Sequence, residues 1–242
     1  MIKADLSDFF HSIDEIQVNS FFVSLGYPKL ISFEMSRICT RVLSRSDQSS
    51  STRDYSINKY QPMRLGVLPQ GAPTSGCLAN RVLLDVDSEL EELATSNQLV
   101  YTRYADDIVL SGRTNFDRAA AHQVFVSLRS IVERSGYKLN EAKTKIVGPG
   151  SAKYVLGLLV LDDHVALPRA FKRTIERSLH GSEKYGVADY ARSAGFVSVL
   201  GFINHVSGKL AFASSIDHEW SSHCNERWLA IIRPKPKNTL VH

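Results

Sequence analysis

Residues 101–112 read YTRYADDIVLSG and set two adjacent carboxylates, Asp106 and Asp107, between apolar flanks. The flanks read as strands and the pair as the tip of a tight hairpin. Apolar or aromatic residues on both sides imply that one face of the hairpin is buried. A bare pair of aspartates is also ordinary turn or cap chemistry, so the surroundings must carry the argument. Repelling carboxylates held at such a tip call for positive charge nearby, and divalent metal is the usual source. A third carboxylate at the end of another strand would complete a cation site, and Asp5 ends the short apolar run at the start of the chain. Three hard oxygen donors favour Mg²⁺ over zinc. Two such ions about 3.5 to 4 Å apart can activate an attacking hydroxyl and neutralise a leaving group in phosphoryl transfer.

The 242 residues, 43% hydrophobic, suffice for one large or two modest domains with a real core. No run approaches the roughly 18 apolar residues of a membrane span, and MIKADLSDFF lacks the order of a signal peptide, so the expectation is a cytoplasmic protein with no membrane partner. Cys39, Cys77 and Cys224 are odd in number and widely spaced, which predicts reduced packing residues rather than disulfides or a zinc site. The net charge of +4 is uneven. Residues 1–168 carry 18 Lys and Arg against 19 Asp and Glu, whereas 169–242 carry 11 against 6. This asymmetry suits either a basic module for a phosphate backbone or a solvated helix surface.

Strand signals at 1–6 precede a helix over 12–26, capped by Ser12 or Asp14 and stopped by Gly26 and Pro28. A second helix is expected over 31–44, and a polar, Ser-rich loop over 45–61. Residues 63–93 pass from a strand through a Pro/Gly turn into one long helix, and the hairpin and a helix ended by Gly136 follow. Short strands are expected in 143–148 and 153–168, the latter around a turn at Asp162 and Asp163. From Pro168 onward the pattern is helical, in three segments, and the tail RPKPKNTLVH at 233–242 is expected to be extended. The switch to all-helix near 168 is the expected domain boundary.

Six stretches in order resemble the motifs of reverse transcriptases: ADLSDFFHSI, LPQGAPTSGCLAN, YADD, LNEAKTKIVG, YVLGLLV and LPRAFKRTIERSLHGSEKYG. The resemblance covers nearly the whole chain, and QGAPTS is most similar to the bacterial retron and phage-defence branch. It implies an α+β fold: a polymerase palm, an antiparallel sheet with packed helices, over 1–168, and a helical thumb over 169–242. It implies RNA-directed DNA polymerase activity with two Mg²⁺ ions, or Mn²⁺, on a primer 3′ or 2′ hydroxyl. The implied partners are an RNA template, a DNA product and dNTPs, with a structured noncoding RNA and an effector protein as further candidates.

Residue by residue, the resemblance gives Asp5 and Asp106 both metals, Asp107 a more peripheral metal role, and the Leu6 carbonyl an extra ligand position. Phe10 falls where the family places a steric gate against a ribose 2′-hydroxyl, although Phe9 and Phe10 also read as core. Gln70 and Gly71 would line the nucleotide pocket, with Ala72 and Pro73 opening the helix beneath the template and Tyr104 near the primer end. Lys143 matches the lysine that donates a proton to pyrophosphate. Two departures stand out. The family carries fingers ahead of the first aspartate motif, which begins here at residue 3, so fingers from another chain, a fragment or a catalytically silent RNA-binding palm remain open. Retron enzymes show Val-Thr-Gly where this chain has Val155, Leu156 and Gly157. A nucleotide cyclase palm also uses metal-bound carboxylates, but its GGDEF-like hairpin is absent and LPQGAPTS has no place in it.

Overall fold

A computed structural model describes residues 1–43, 65–112 and 117–233. The Ser-rich stretch expected at 45–61, the start of the strand expected from Met63, and the tail beyond Arg233 lie outside the described residues. The chain divides into two compact units, Met1–Ser151 and Ala152–His242.

The first unit is built on a four-stranded antiparallel sheet in the order β2-β3-β1-β4, from β1 (Ile2–Asp5), β2 (Val100–Tyr104), β3 (Asp107–Ser111) and β4 (Lys145–Ile146). Register sorts its faces. Ile2 lies opposite Leu110 and Ala4 opposite Ile108, and these four point into the main core. Side chains alternate along a strand, so Lys3, Asp5, Asp107 and Val109 fall on the other face. The core face is covered by helices with apolar stripes at helical spacing: Val86, Leu90 and Ala94 on α4 (Leu84–Ser96), and Val124, Leu128, Ile131 and Val132 on α5 (Arg118–Arg134). Each fully buried Leu or Ile there contributes about 1.5–3 kcal/mol.

Ahead of α4, α1 (Glu15–Ser24) starts at a capping box: Asp14 Oδ1 accepts from the Gln17 amide at 2.9 Å, and Gln17 Oε1 accepts from the Asp14 amide at 3.0 Å. The second helix, α2, covers Lys29–Cys39 and not the expected 31–44. Thr40 turns extended, and Arg41 exchanges both backbone hydrogen bonds with Val67 at 2.9 Å. Among the described residues, Val67 makes only isolated bridges, to Arg41 and Asp14, where a strand was expected. This junction is tight: a Cβ on Gly66 would stand 2.5 Å from Thr40 Oγ1 and 2.8 Å from buried Glu15 Oε2. The long helix expected to continue past residue 80 is divided at Leu83 into α3 (Ser75–Val82) and α4.

The second unit has its own three-stranded sheet, β5 (Lys153–Val155), β6 (Leu158–Val160) and β7 (Val165–Ala166), in that order. The expected boundary at 168 assigned these strands to the first domain. Among the described residues they pair only with one another, and Leu158 and Leu167 pack into the second core, so they group with the helices instead. Those helices are α6 (Arg169–Tyr185), α7 (Val187–Ser193), α8 (Val199–Ser214) and α9 (His218–Ile232). The expected continuous helix over 187–208 is broken at Ala194–Gly195, and α8 restarts at Ser198, whose hydroxyl accepts from the Gly201 amide. Ile175, Leu179, Phe202, Val206 and Trp228 form this core, with the Trp228 indole donating to Ser207 Oγ at 2.9 Å. The three cysteines are free; Cys224 is buried and Cys39 half-buried, whereas Cys77 is exposed and not the packing residue expected. Among the described residues no helix is long and apolar enough to cross a membrane.

Candidate active site

Asp5 ends β1 directly opposite Asp107, the first residue of β3. Side chains of directly opposed residues share a face, so these carboxylates come together by register alone. The hairpin turn itself is Ala105–Asp106, with Tyr104 paired to Asp107 across it. Asp106 is thus a turn residue and Asp107 a strand residue, a finer division than the expected two-aspartate tip. The turn is fastened to β1 by the Leu6 amide, which donates to the Asp106 carbonyl at 2.9 Å. Ala105 adopts φ +51°, a left-handed conformation that costs a residue with a Cβ about 1–2 kcal/mol.

Two lysines neutralise these carboxylates. Lys143 Nζ donates to Asp5 Oδ2 at 3.1 Å, from a side chain 62% exposed to one only 5% exposed. It is delivered by the turn that follows Asn140, whose amide donates to the Asp5 carbonyl at 2.7 Å. The hydrogen bond to Asp5 and the charges of the three aspartates hold the Lys143 ammonium above its usual range. Lys3 Nζ lies 3.0 Å from Asp107 Oδ1. Sequence reasoning missed Lys3, although its position two residues before Asp5 on the same strand face was the available signal. Among the described residues, no three His, Cys, Asp or Glu side chains gather closely enough to form a ready-made cation cage. The donor set still has hard oxygen chemistry and is confined to one strand pair and its turn.

The remaining expected residues fall around this centre. Leu6 is buried, and Phe10 lies in a 3₁₀ turn (Phe9–Ser12) directly beyond β1. Phe9 is in the core, whereas Phe10 is half-buried, with its ring 5.2 Å from that of Phe9. Tyr104 is 68% exposed at the end of β2. Gln70, Gly71 and Pro73 are exposed and Ala72 half-buried in the loop before α3; Gly71 has φ +90°. Ser75 Oγ donates to the Pro69 carbonyl at 2.7 Å and closes that loop. Among the described residues, no hydrogen bond joins Gln70, Gly71, Ala72 or Pro73 to the aspartates.

The family model described as reverse transcriptase (RNA-dependent DNA polymerase) matches residues 1–160, the stretch that carries all of this geometry. The chain belongs to the reverse transcriptase family. Within it, the chain is 32% identical over 217 residues to the retron Ec86 reverse transcriptase of Escherichia coli, covering 90% of this chain and 56% of that protein. It is 28% identical over 227 residues to the retron Mx65 reverse transcriptase of Myxococcus xanthus, covering 94% and 48%. The chain therefore spans about half the length of these curated relatives. Among solved structures, telomerase from Candida albicans in complex with a fragment of telomeric RNA is 13% identical at a TM-score of 0.47, covering 96% of this chain and 40% of that one. The chain carries the paired aspartates of YADD, and the α+β polymerase fold expected from the sequence is the one it has.

Proposed function

We propose that this chain is the palm and thumb of a retron-type reverse transcriptase and extends a primer 3′ or 2′ hydroxyl by copying RNA into DNA. The observation that carries this is the apposition of Asp5 and Asp107 across β1 and β3, with Asp106 in the adjoining turn. Asp5, Asp106, Asp107 and the Leu6 carbonyl would hold two divalent ions, Mg²⁺ with Mn²⁺ as an alternative. Bound there, such ions lower the pKa of the attacking hydroxyl and offset charge on the leaving pyrophosphate.

The chain's own residues do the rest. Asp5 is fixed by the Asn140 amide on its carbonyl and by Lys143 on its carboxylate, so its oxygens are oriented before substrate arrives. Lys143, held protonated by those carboxylates, keeps a proton at Nζ for the departing pyrophosphate. Phe10 packs at the edge of the core that takes Phe9 and is only half-buried, which leaves part of its ring free to act as a gate against a ribose 2′-hydroxyl. Gln70 and Gly71 would meet the nucleotide, Ala72 and Pro73 the template, and Tyr104 the primer end.

On α6, Arg169, Arg173, Arg177, His180 and Lys184 fall within one narrow stripe at 100° per residue, suited to a phosphate backbone. Ion pairs instead occupy Lys172, Arg192 and Arg227. An RNA template with dNTPs is the substrate set. A structured noncoding RNA and an effector protein, in a cytoplasmic retron or anti-phage defence system, are the wider setting we assign. Calorimetric titration of Mn²⁺ tests the site: Asp106→Asn and Asp5→Asn should each weaken binding at least tenfold, and equal binding by wild type and both variants would remove the metal account.

A further inference from the structure

The helix-side face of the catalytic hairpin carries a polar cluster that the proposed chemistry does not use. Arg103 lies on β2 opposite Ile108, on the face away from Asp5 and Asp107. Its side chain is only 6% exposed. One edge of the guanidinium grips Asp87, in the first turn of α4, with Nε 2.7 Å from Oδ1 and Nη2 2.6 Å from Oδ2. Tyr101 Oη donates to the same Oδ1 at 2.6 Å. The third nitrogen, Nη1, donates at 3.0 Å both to Asn80 Oδ1 on α3 and to the Ala105 carbonyl. That carbonyl belongs to the planar peptide joining Ala105 to Asp106, so holding it fixes the orientation from which Asp106 departs.

We propose that Arg103 is a positioning residue: anchored on Asp87, it holds the left-handed Ala105–Asp106 turn against α3 and α4 and thereby sets where Asp106 stands relative to Asp5. An ion pair that merely tied β2 to α4 would need only the edge facing Asp87. The use of Nη1 on the turn carbonyl and on Asn80 links the helix that follows the Gln70–Pro73 loop to the turn that carries Asp106. Lysine cannot reproduce this, because its single ammonium lacks the planar fork that reaches Asp87 and the turn together. The strained φ of Ala105 gives the clamp something to hold, since an alanine without glycine's freedom would otherwise relax.

The inference builds on the polymerase activity proposed above, but its first test does not need that activity. The Leu6 amide bonds to the Asp106 carbonyl, so its hydrogen exchange, followed by NMR, reports order in the turn. Arg103→Lys should speed exchange at Leu6 by roughly tenfold or more while Ile108 and Leu110 stay within about twofold of wild type. Asp87→Asn touches neither the turn nor β1 and should act in the same direction, because its effect travels through Arg103. It also carries the test if Arg103→Lys fails to fold. Unchanged exchange at Leu6 in the folded variants, or equal acceleration at Leu6, Ile108 and Leu110, would overturn the proposal in favour of a general packing role. In primer extension, Arg103→Lys should lower kcat at least tenfold with KM for dNTP within about threefold, the pattern of lost transition-state positioning. A wild type that extends no primer would count against the polymerase reading and leave the exchange result standing.

Discussion

Gly181 sits in the middle of α6, where helix propensity alone would favour alanine by about 1 kcal/mol. The second unit forbids it. A Cβ built at Gly181 would lie 2.0 Å from Tyr190 Cε2 and 2.2 Å from Cδ2, where carbon atoms pack at about 3.5–4.0 Å. The Tyr190 ring, on α7, also sits edge-on to Phe202 at 5.7 Å, so it has to leave that position to make room. Breaking the aromatic pair costs about 1 kcal/mol, and re-exposing much of the ring about 1.5–2 kcal/mol more. Against the propensity gain, Gly181→Ala should destabilise the unit by about 2 kcal/mol, or roughly 10 °C in Tm for a unit of this size. Both tryptophans, Trp220 and Trp228, lie on α9 in this unit, so intrinsic fluorescence melting follows it alone. Adding Tyr190→Ala should then cost little further, because the two changes act on the same ring. A Gly181→Ala variant that melts at or above the wild-type temperature would refute the close approach of α6 and α7.

Phe10→Ala should raise incorporation of ribonucleotide relative to deoxynucleotide at least tenfold on a primed RNA template, since a buried 2′-hydroxyl without a partner costs about 1–3 kcal/mol. Its melting temperature should fall by less than that of Phe9→Ala, whose fully buried ring is worth about 3–5 kcal/mol; an unchanged ratio with a large stability loss would make Phe10 packing. Lys143→Ala should slow single-nucleotide incorporation by about 10²-fold or more if it supplies the proton, with hybrid affinity little altered in a filter-binding assay. Arg173→Ala with Arg177→Ala should make the salt dependence of RNA–DNA hybrid binding shallower by roughly 1.8 in log–log slope, about 0.9 for each phosphate no longer neutralised. Asp217, which caps α9 at the Trp220 amide, is held below the usual carboxylate range by Lys172 at 2.5 Å. Its contribution is present above the unfolded value of about 3.9 and disappears as pH falls through the lower folded value, so Asp217→Asn should flatten the acid limb of the unit's urea midpoint against pH.

The palm was legible because its signals are local. The hairpin, Asp5 at a strand end and the Gly136 stop each depend on residues within a few positions, and register then joins Asp5 to Asp107. Family resemblance supplied what periodicity could not, namely the order of the motifs. The misses were set by long-range pairing. The small β5-β6-β7 sheet joins the second unit because its strands pair with each other, and no local pattern distinguishes that from joining the palm. Thr40 leaves the helix because Arg41 finds Val67 far along the chain. The two helix breaks, at Leu83 and Ala194–Gly195, fall inside apolar periodicity that continues across them. Lys3 had a signal in strand alternation: a lone cation between Ile2 and Ala4 falls on the same strand face as Asp5.

The most direct test of the central claim is RNA-templated single-nucleotide incorporation in Mg²⁺ or Mn²⁺, with wild type run beside Asp106→Asn and Asp5→Asn. Wild type should add the complementary deoxynucleotide to a primed RNA template, and each variant should fall roughly a hundredfold or more in rate while its melting temperature holds. Incorporation by the variants at the wild-type rate, or none by wild type with either ion, would contradict the assignment of catalysis to these carboxylates.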